Sequence, residues 1–339
     1  MKQKYLLLIV LIIVISLGCK KRKHRVWNVN VDTIQVNLKI KRYELDLFTI
    51  PIDSFYKEIP RLQKEYGDFF NLYNTQLIGI GMPTERNFYQ GLRRFMEYCN
   101  TLDLYNEVLK VFPPQDDFIR NSLTKAFKYY KYYFPDRKIP DIYTCISGFQ
   151  VSVFTTSDYV GISLDKYLGS NYEIYSQMFE KYLRRRMFKQ MLPIDVMRAW
   201  LIAEFPYNDT VHRNLLTNMI YQGRIQYALD AIFPDTPDTL KWGYTYPQWA
   251  WANMYEKNIW DYLVDRKLLF SDSSIDIKIF TGEAPFTTAF HNNSAPRSGT
   301  FIGYKIVQSY MDRHPEVSLK ELMECNDYMK IYNESYYNP

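Results

Sequence analysis

Three short segments near the middle of the chain most constrain its fold. They span residues 142–147, 151–155 and 159–164, and Gly148 and Gly161 punctuate them. Each segment is short and rich in β-branched residues, which is typical of strands joined by turns. The block therefore predicts a small sheet that contains a hairpin or a meander.

Helical patterns surround this block on both sides. The predicted helices before it span residues 54–66, 84–98, 103–112 and 116–134. Those after it span residues 172–189, 194–205, 210–233, 246–269, 297–313 and 319–323. One alternating segment, residues 34–40, predicts a half-buried strand ahead of the first helix. This order favours a mainly helical α+β fold with a small antiparallel or mixed sheet over a doubly wound α/β fold.

The N-terminus has the pattern of a bacterial lipoprotein signal. Lys2 and Lys4 precede an apolar run at residues 6–15, and Gly18 stands directly before Cys19. The run is too short to span a bilayer comfortably, so it favours a signal peptide over the alternative, an uncleaved membrane anchor. Cleavage would leave Cys19 as the acylated first residue of the mature chain.

This prediction divides the chain into three parts. Residues 1–18 are the signal peptide, residues 19–32 are the lipidated Cys19 with a basic tether, and residues 33–339 are expected to form a single domain. The lipid would anchor the protein in the cell envelope. Because basic residues rather than an acidic patch follow Cys19, we expect an outer-membrane anchor with the domain facing the periplasm.

The charge balance argues against a nucleic-acid partner. Seven of the 42 lysines and arginines precede residue 26, where no acid occurs, so the rest of the chain carries 35 basic residues against 37 acidic ones. A domain without a basic excess lacks the charge that holds a polyanion. The basic cluster after Cys19 either meets anionic lipid headgroups or forms a solvated tether.

The chain carries no familiar catalytic motif. Histidine occurs only at positions 24, 212, 291 and 314, so a His-rich metal site and the HExxH helix of zinc peptidases are excluded. Glu204 either serves as a base or metal ligand or, as we expect, pairs with an arginine such as Arg198 or is capped at the surface. His212 and His291 are expected to be ordinary surface or loop residues. No metal and no cofactor is expected.

The remaining cysteines and several glycines predict structural roles. Beyond Cys19 the chain has three cysteines and no CxxC pair, so we expect buried, unreactive thiols at Cys99, Cys145 and Cys325. Gly223 lies inside a predicted helix, where glycine costs about 1 kcal/mol relative to alanine, and should mark close packing or a kink. Gly299 and Gly303 share a helix face, which lets another backbone approach.

Several stretches, taken together and in order, resemble the gliding-motility lipoprotein GldB family of Bacteroidetes. The first is the lipoprotein start at residues 15–19 with its basic tether. The others cover much of the chain: residues 161–169, 219–224 with 228–235 behind them, 249–260 and 295–311. Each motif alone is only moderately specific, whereas the shared order spans nearly the whole chain.

The resemblance implies a lipoprotein needed for gliding, a motility tied to the type IX secretion system. It also implies a fold like that of a family of predicted zinc peptidases, in which an HExxH helix precedes a helix with an acid beside glycine. Here the corresponding helix, residues 196–201, has no histidine, and Gln222 stands before Gly223. Both departures remove metal ligands, so a zincin-like but catalytically degenerate scaffold is expected.

These expectations lead to a non-enzymatic function. The protein would support gliding or type IX secretion through contacts with envelope motility or secretion proteins, or serve envelope assembly in a non-gliding relative. One alternative is an envelope hydrolase with unusual groups, such as Glu204 with His212 or His291. Another is a glycan-binding lipoprotein, since the chain has 31 tyrosines.

Overall fold

A computed structural model describes residue 27, residues 29–208 and residues 213–339. The predicted signal peptide and Cys19 lie outside the described residues, and so does His212. The described residues cover all of the predicted domain at residues 33–339 apart from residues 209–212.

Four short strands form one mixed sheet. They are β1 (Ile40–Arg42), β2 (Asp141–Cys145), β3 (Val153–Thr155) and β4 (Tyr159–Ser163). The order across the sheet is β1-β2-β4-β3. Strands β1 and β4 run parallel to β2, whereas β3 pairs with β4 in an antiparallel hairpin. The predicted hairpin and the small mixed sheet are therefore confirmed.

The predicted strand at residues 34–40 is wrong in its extent, because only Ile40–Arg42 pairs with β2. Ile40 lies opposite Ile142, so the earlier residues run past the start of β2. Pro140 stands at that point and has no N–H to contribute to a ladder.

Seventeen α-helices account for most of the described chain. Those before β2 are α1 (Tyr43–Leu47), α2 (Phe55–Tyr66), α3 (Asp68–Leu72), α4 (Phe88–Thr101), α5 (Leu104–Val111) and α6 (Phe118–Tyr133). Those after β4 are α7 (Glu173–Met178), α8 (Lys181–Arg184), α9 (Leu192–Glu204), α10 (Leu215–Ile232), α11 (Asp238–Trp242), α12 (Tyr246–Met254), α13 (Glu256–Asp265), α14 (Ser274–Thr281), α15 (Ser298–Arg313), α16 (Leu319–Glu324) and α17 (Tyr328–Ser335). The α+β class with predominant helix is confirmed.

Two long predicted helices are wrong because the backbone breaks inside them. The segment 172–189 divides into α7 and α8, since Phe179 and Glu180 adopt extended conformations. The segment 246–269 divides into α12 and α13 at Tyr255, whose φ of −103° and ψ of 17° are not helical. Neither break carries glycine or proline, so the sequence gives no sign of it.

Two other helices begin later than predicted. Helix α4 starts at Phe88 rather than at residue 84, because Glu85 closes a turn in which its carboxylate accepts the N–H of Met82. Helix α10 starts at Leu215, where Asn214 caps it and exchanges hydrogen bonds with Thr217. Across the described residues, no helix is both long enough and apolar enough to cross a membrane.

The sheet separates two apolar clusters. On one face Tyr143, Phe154 and Tyr159 pack against a cluster built from helices α1 to α3 and one side of α4. On the other face Ile142 and Ile162 join a larger cluster that contains most of the later helices. Side chains alternate between the faces of a strand, so β2, β3 and β4 serve both clusters at once.

Helices α10 and α15 meet through their backbones, as the glycine spacing predicts. A Cβ on Gly303 would lie 1.8 Å from the carbonyl oxygen of Met219, and one on Gly223 would lie 2.3 Å from the carbonyl carbon of Gly303. On Gly299 it would lie 2.8 Å from the Cβ of Phe280. No side chain fits at these points, so close packing is confirmed for all three glycines.

Candidate functional site

A cleft of about 470 Å³ lies beside β3 and is the site with the richest chemistry in the described chain. Residues 151–153 and one face of helix α9 line it. Phe179, which follows α7, and Leu183 of α8 line it as well. The cleft thus lies between the end strand of the sheet and two helices, α8 and α9.

One face of α9 lines the cleft. Asp195, Arg198, Ala199 and Ile202 are spaced at three and four residues, so their side chains lie along a single stripe of the helix. The helix is fixed in this position by its opposite face, where Trp200 and Leu201 are fully buried. The stripe combines two charged groups at one end with apolar groups at the other.

Strand β3 lies at one edge of the sheet, among the strands that the structure describes. Phe154 lies opposite Gly161, and the N–H of Ser163 donates to the carbonyl of Ser152. In an antiparallel pair this register directs the backbone groups of the alternate residues, Val153 and Thr155, away from β4. A row of amide and carbonyl groups of this kind can pair with another strand.

The walls of the cleft are partly apolar and exposed. Leu183 keeps 37% and Ile202 keeps 39% of the side-chain surface open to solvent. Lys166 adds its charge where the wall meets the sheet, with Nζ 3.9 Å from the centre of the Phe179 ring. Burial lowers the pKa of Lys166, and the nearby Asp165 carboxylate opposes that effect.

Four arginines lie close together beside the cleft, and we call them the arginine cluster: Arg185, Arg186, Arg198 and Arg297. Arg186 and Arg198 line the cleft itself. Three of the four donate to consecutive carbonyls at the C-terminal end of α11. Arg198 Nη2 lies 2.8 Å from the oxygen of Lys241, Arg185 Nη2 lies 3.0 Å from that of Gly243, and Arg297 donates to Trp242. A helix end leaves such carbonyls free, so α11 positions the cluster.

Two carboxylates partly neutralise the arginine cluster. Arg186 donates to Glu283 at 2.9 Å and to Asp195 at 3.2 Å. Arg297 Nη1 lies 3.3 Å from the same Glu283 oxygen. Burial opposes ionisation of Glu283, but the guanidinium groups of Arg297 and Arg186 outweigh it and lower the pKa of the carboxyl group. Two of the four guanidinium groups, those of Arg186 and Arg297, thus bind the two carboxylates.

Arg185 and Arg198 form no ion pair with a described carboxylate, and of these two only Arg198 lines the cleft. Its Nη2 also donates to Gln226 Oε1 at 3.0 Å, and no described carboxylate forms an ion pair with it. Its Nε atom and the Nε atoms of Arg185 and Arg297 are buried without an acceptor in the described protein. Burial, followed by the charges of Arg297 and Arg186, lowers the pKa of Arg198 to about 9. The local field therefore carries an excess of positive charge.

This arrangement is suited to binding rather than to covalent chemistry. Tyr167, which lies beside Asp195, donates its hydroxyl to that carboxylate, and burial raises its pKa well above the usual value. The cleft offers guanidinium donors, an apolar wall and an unpaired strand edge. Those three features recognise an anionic group, an apolar side chain and an extended backbone respectively.

The structure separates the residues that the sequence singled out. Glu204 lines a different cavity of about 520 Å³, where its carboxylate lies 3.4 Å from Arg137 Nη1 and 3.4 Å from the Tyr130 hydroxyl. Glu204 therefore pairs with an arginine, as expected, but the partner is Arg137 and not Arg198. Arg198 instead donates to Gln226 of α10 and to the carbonyl of Lys241 in α11.

The histidine and cysteine predictions have mixed outcomes. His291 lies in an exposed loop and accepts the N–H of Asn293 at 3.3 Å, away from the cavity of Glu204. Cys99 and Cys145 are buried, and burial raises the pKa of both thiols, as expected. Cys325 is only half-buried, so that part of the prediction is wrong. Within the described ranges, no three His, Cys, Asp or Glu side chains are grouped to hold a metal ion.

The sequence analysis missed the arginine cluster. Its members come from three separate segments, and only the run at residues 184–186 is visible as a charge pattern. Arg297 also has an unusual backbone conformation, with a φ of 52° directly before α15. Non-glycine residues seldom adopt that conformation, but the sequence does not reveal it.

Comparison with known proteins gives one match. The family model described as gliding motility protein GldB matches residues 24–339. No curated protein and no solved structure matches the chain.

Proposed function

The chain belongs to the gliding motility protein GldB family, and from this premise we propose that it is a non-enzymatic envelope protein that holds a partner protein in the cleft beside β3. The partner would belong to the motility or type IX secretion machinery. The observation that carries this proposal is the combination of an unpaired edge strand with an apolar and cationic helix stripe facing it. Edge strands bind extended segments by main-chain hydrogen bonds, and adjacent side-chain pockets give specificity.

The lipid anchor belongs to the same proposal. Acylated Cys19 and the basic tether would hold the domain at the outer membrane on its periplasmic side, where motility or secretion partners are accessible. A scaffold like that of zinc peptidases, without its metal ligands, remains a prediction that comes from the sequence resemblance alone.

A substitution that fills the cleft tests whether it is the functional surface. Ala199 is half-buried on the α9 stripe, so Ala199→Trp places an indole between Arg198 and Ile202. In a strain that lacks the gene, we expect this variant to restore less than a tenth of the wild-type spreading or type IX secretion. Ala250→Trp is the matched control, because Ala250 is an exposed residue of helix α12.

Protein level and melting temperature must be measured for both variants. We expect both to match the wild type, since neither substitution enters a closed core. Full activity of Ala199→Trp at normal protein level would contradict the proposed role of the cleft. Low activity of Ala250→Trp as well would show that bulky substitutions act through stability and not through the cleft.

A separate experiment tests the anchor. Cys19→Ala should abolish incorporation of labelled palmitate and move the protein from the membrane fraction to the soluble fraction. Retention of both labelling and membrane association would show that Cys19 is not the anchor. This outcome would leave the role of the cleft unaffected, because the cleft lies entirely within the described domain.

A further inference from the structure

We propose that the cleft recognises an extended peptide segment with one acidic side chain, and that Arg198 is the residue that binds its carboxylate. The inference rests on the proposed function, since it specifies what the partner must present. It requires one carboxylate, at a defined distance from an apolar side chain, on a segment that pairs with the outer edge of β3.

The charge balance of the site selects a single carboxylate. Of the four arginines in the cluster, Arg186 and Arg297 already bind Asp195 and Glu283. Arg185 has no carboxylate partner, but it does not line the cleft. Arg198 keeps donors without a carboxylate partner, and it lines the cleft. A doubly charged phosphate would meet the two resident carboxylates as well as the arginines. One incoming carboxylate matches the donor that remains.

The hydrogen bonds of Arg198 hold its guanidinium in place for this role. Nη2 is fixed by Gln226 Oε1 at 3.0 Å and by the carbonyl of Lys241 at 2.8 Å. A guanidinium fixed along one edge loses little further freedom when a carboxylate binds. Arg198 is thus already oriented, whereas exposed arginines must be ordered by the ligand.

The geometry of α9 and of β3 predicts the spacing of the motif. Arg198 and Ile202 are one helical turn apart, which is about 6 Å along the axis. Alternate side chains on one face of a strand are separated by about 6.6 Å. We therefore expect the bound peptide to run along α9. Its acidic side chain would then contact Arg198, and the apolar side chain two residues away would contact Ile202 and Leu183. The predicted pattern is acidic-x-apolar, in either chain direction.

Peptide titrations test this inference with the full-length protein in detergent micelles. The probes are two terminally blocked pentapeptides, Thr-Glu-Thr-Val-Thr and its counterpart Thr-Gln-Thr-Val-Thr, measured by isothermal titration calorimetry. Charge-assisted hydrogen bonds exceed neutral ones, so we expect the Glu peptide to bind about tenfold more tightly than the Gln peptide. Equal affinities for the two peptides would overturn the inference.

Two arginine variants assign the effect to a residue. Arg198→Gln should bring the affinity for the Glu peptide to that for the Gln peptide. Arg266→Gln is the control, because Arg266 is exposed at the end of α13 and should leave the tenfold ratio unchanged. If Arg198→Gln keeps the ratio, the carboxylate binds elsewhere and the inference fails. Circular dichroism and the melting temperature establish that each variant is folded.

A proline substitution separates this inference from the proposed function. Val153→Pro removes an N–H that faces away from β4, so it leaves the β3–β4 pairing intact while it blocks addition of a strand. We expect it to weaken the binding of both peptides by a similar factor. Sensitivity to Val153→Pro without any preference for Glu would support peptide docking and overturn the role of Arg198.

Small anions provide the last comparison. Sodium acetate and inorganic phosphate are titrated in the same way, at constant ionic strength. If acetate alone binds as tightly as the Glu peptide, the site takes a free carboxylate and the peptide proposal is overturned. If phosphate binds more tightly than the Glu peptide, the argument from charge balance is wrong. Weak binding of both ions, with tight binding of the Glu peptide, supports the inference.

Discussion

Helix α10 takes part in two interfaces that are built in opposite ways. Where it crosses α15, Gly223 and Gly303 bring the two backbones into contact and leave no space for a side chain. Three residues after Gly223, Gln226 instead reaches Arg198 through a hydrogen bond across the helix layer. At the crossing, glycines allow the two backbones to touch. Beside the cleft, the long polar side chains of Gln226 and Arg198 bridge the helices.

Under the proposed function, the crossing contributes stability and the cleft contributes recognition. Dispersion and exclusion of water stabilise the crossing, and these terms depend on shape alone. The cleft contains desolvated arginines, unsatisfied donors and an unpaired strand edge, each of which lowers stability unless a partner binds. Substitutions at the crossing should therefore alter folding, whereas substitutions in the cleft should alter binding.

The largest expected effect follows from closing the space at the crossing. Gly303→Ala places a methyl group 1.8 Å from the carbonyl oxygen of Met219, so the helices must separate. Overpacking of this kind typically costs 1–3 kcal/mol, and because a rigid backbone is the obstacle we expect about 3 kcal/mol or more. Urea unfolding of the full-length protein in detergent micelles measures the change.

Gly91→Ala is the matched control for that experiment. Gly91 also lies inside a helix, α4, but an added Cβ would meet only the side chain of Ile80, at 3.1 Å. The higher helix propensity of alanine, about 1 kcal/mol, offsets this contact, so we expect a net change within about 1 kcal/mol. Equal losses for Gly91→Ala and Gly303→Ala would show that the crossing has no special importance.

The next prediction compares how stability depends on pH beside the cleft and at the glycine crossing. Burial raises the pKa of Asp165, beside the cleft, to about 6, although the N–H groups of Ser147 and Phe149 oppose this shift. Because the folded protein holds this proton more tightly than the unfolded chain, the free energy of unfolding should fall as pH rises from about 4 to 6. The shift from 3.8 corresponds to about 3 kcal/mol.

Comparison with Asp165→Asn isolates that contribution. The variant cannot ionise at this position, so its stability should lose the fall between pH 4 and 6 that the wild type shows. Gly303→Ala leaves Asp165 in place, and it should therefore keep the fall in stability between pH 4 and 6. Parallel curves for the wild type and Asp165→Asn would place the titration in another group.

The same contrast explains how far the sequence could predict this structure. The crossing was predicted because a glycine inside a helix has few explanations other than close approach. The small sheet was predicted because three short β-branched segments stand between turn residues. Both features are set by residues that are close together in the sequence, so a local pattern reveals them.

The cleft could not be predicted for the opposite reason. Arg198 and Arg297 are 99 positions apart in the chain, and no local pattern links them. The break at Tyr255 likewise depends on tertiary packing, since no proline or glycine marks it. The same applies to Glu204. It pairs with Arg137, which precedes strand β2 in the chain, and not with Arg198, which is six residues away in the sequence.

The smallest expected effect concerns the second cavity, where Glu204 lies. Its carboxylate is 3.4 Å from Arg137, which also pairs with Glu324 at 2.9 Å. Since the shorter ion pair remains and the glutamine oxygen can still accept from Tyr130, Glu204→Gln should change stability by less than about 1 kcal/mol. Gliding or secretion should also remain at the wild-type level.

Glu324→Gln is the control, because it removes the other carboxylate that binds Arg137 and leaves Glu204 unchanged. If Glu204→Gln abolishes function while Glu324→Gln and protein stability are normal, the carboxylate of Glu204 acts chemically. That result would favour a hydrolase centred on the second cavity. Normal function of both variants assigns this cavity to the structural part of the molecule and leaves the cleft beside β3 as the site of recognition.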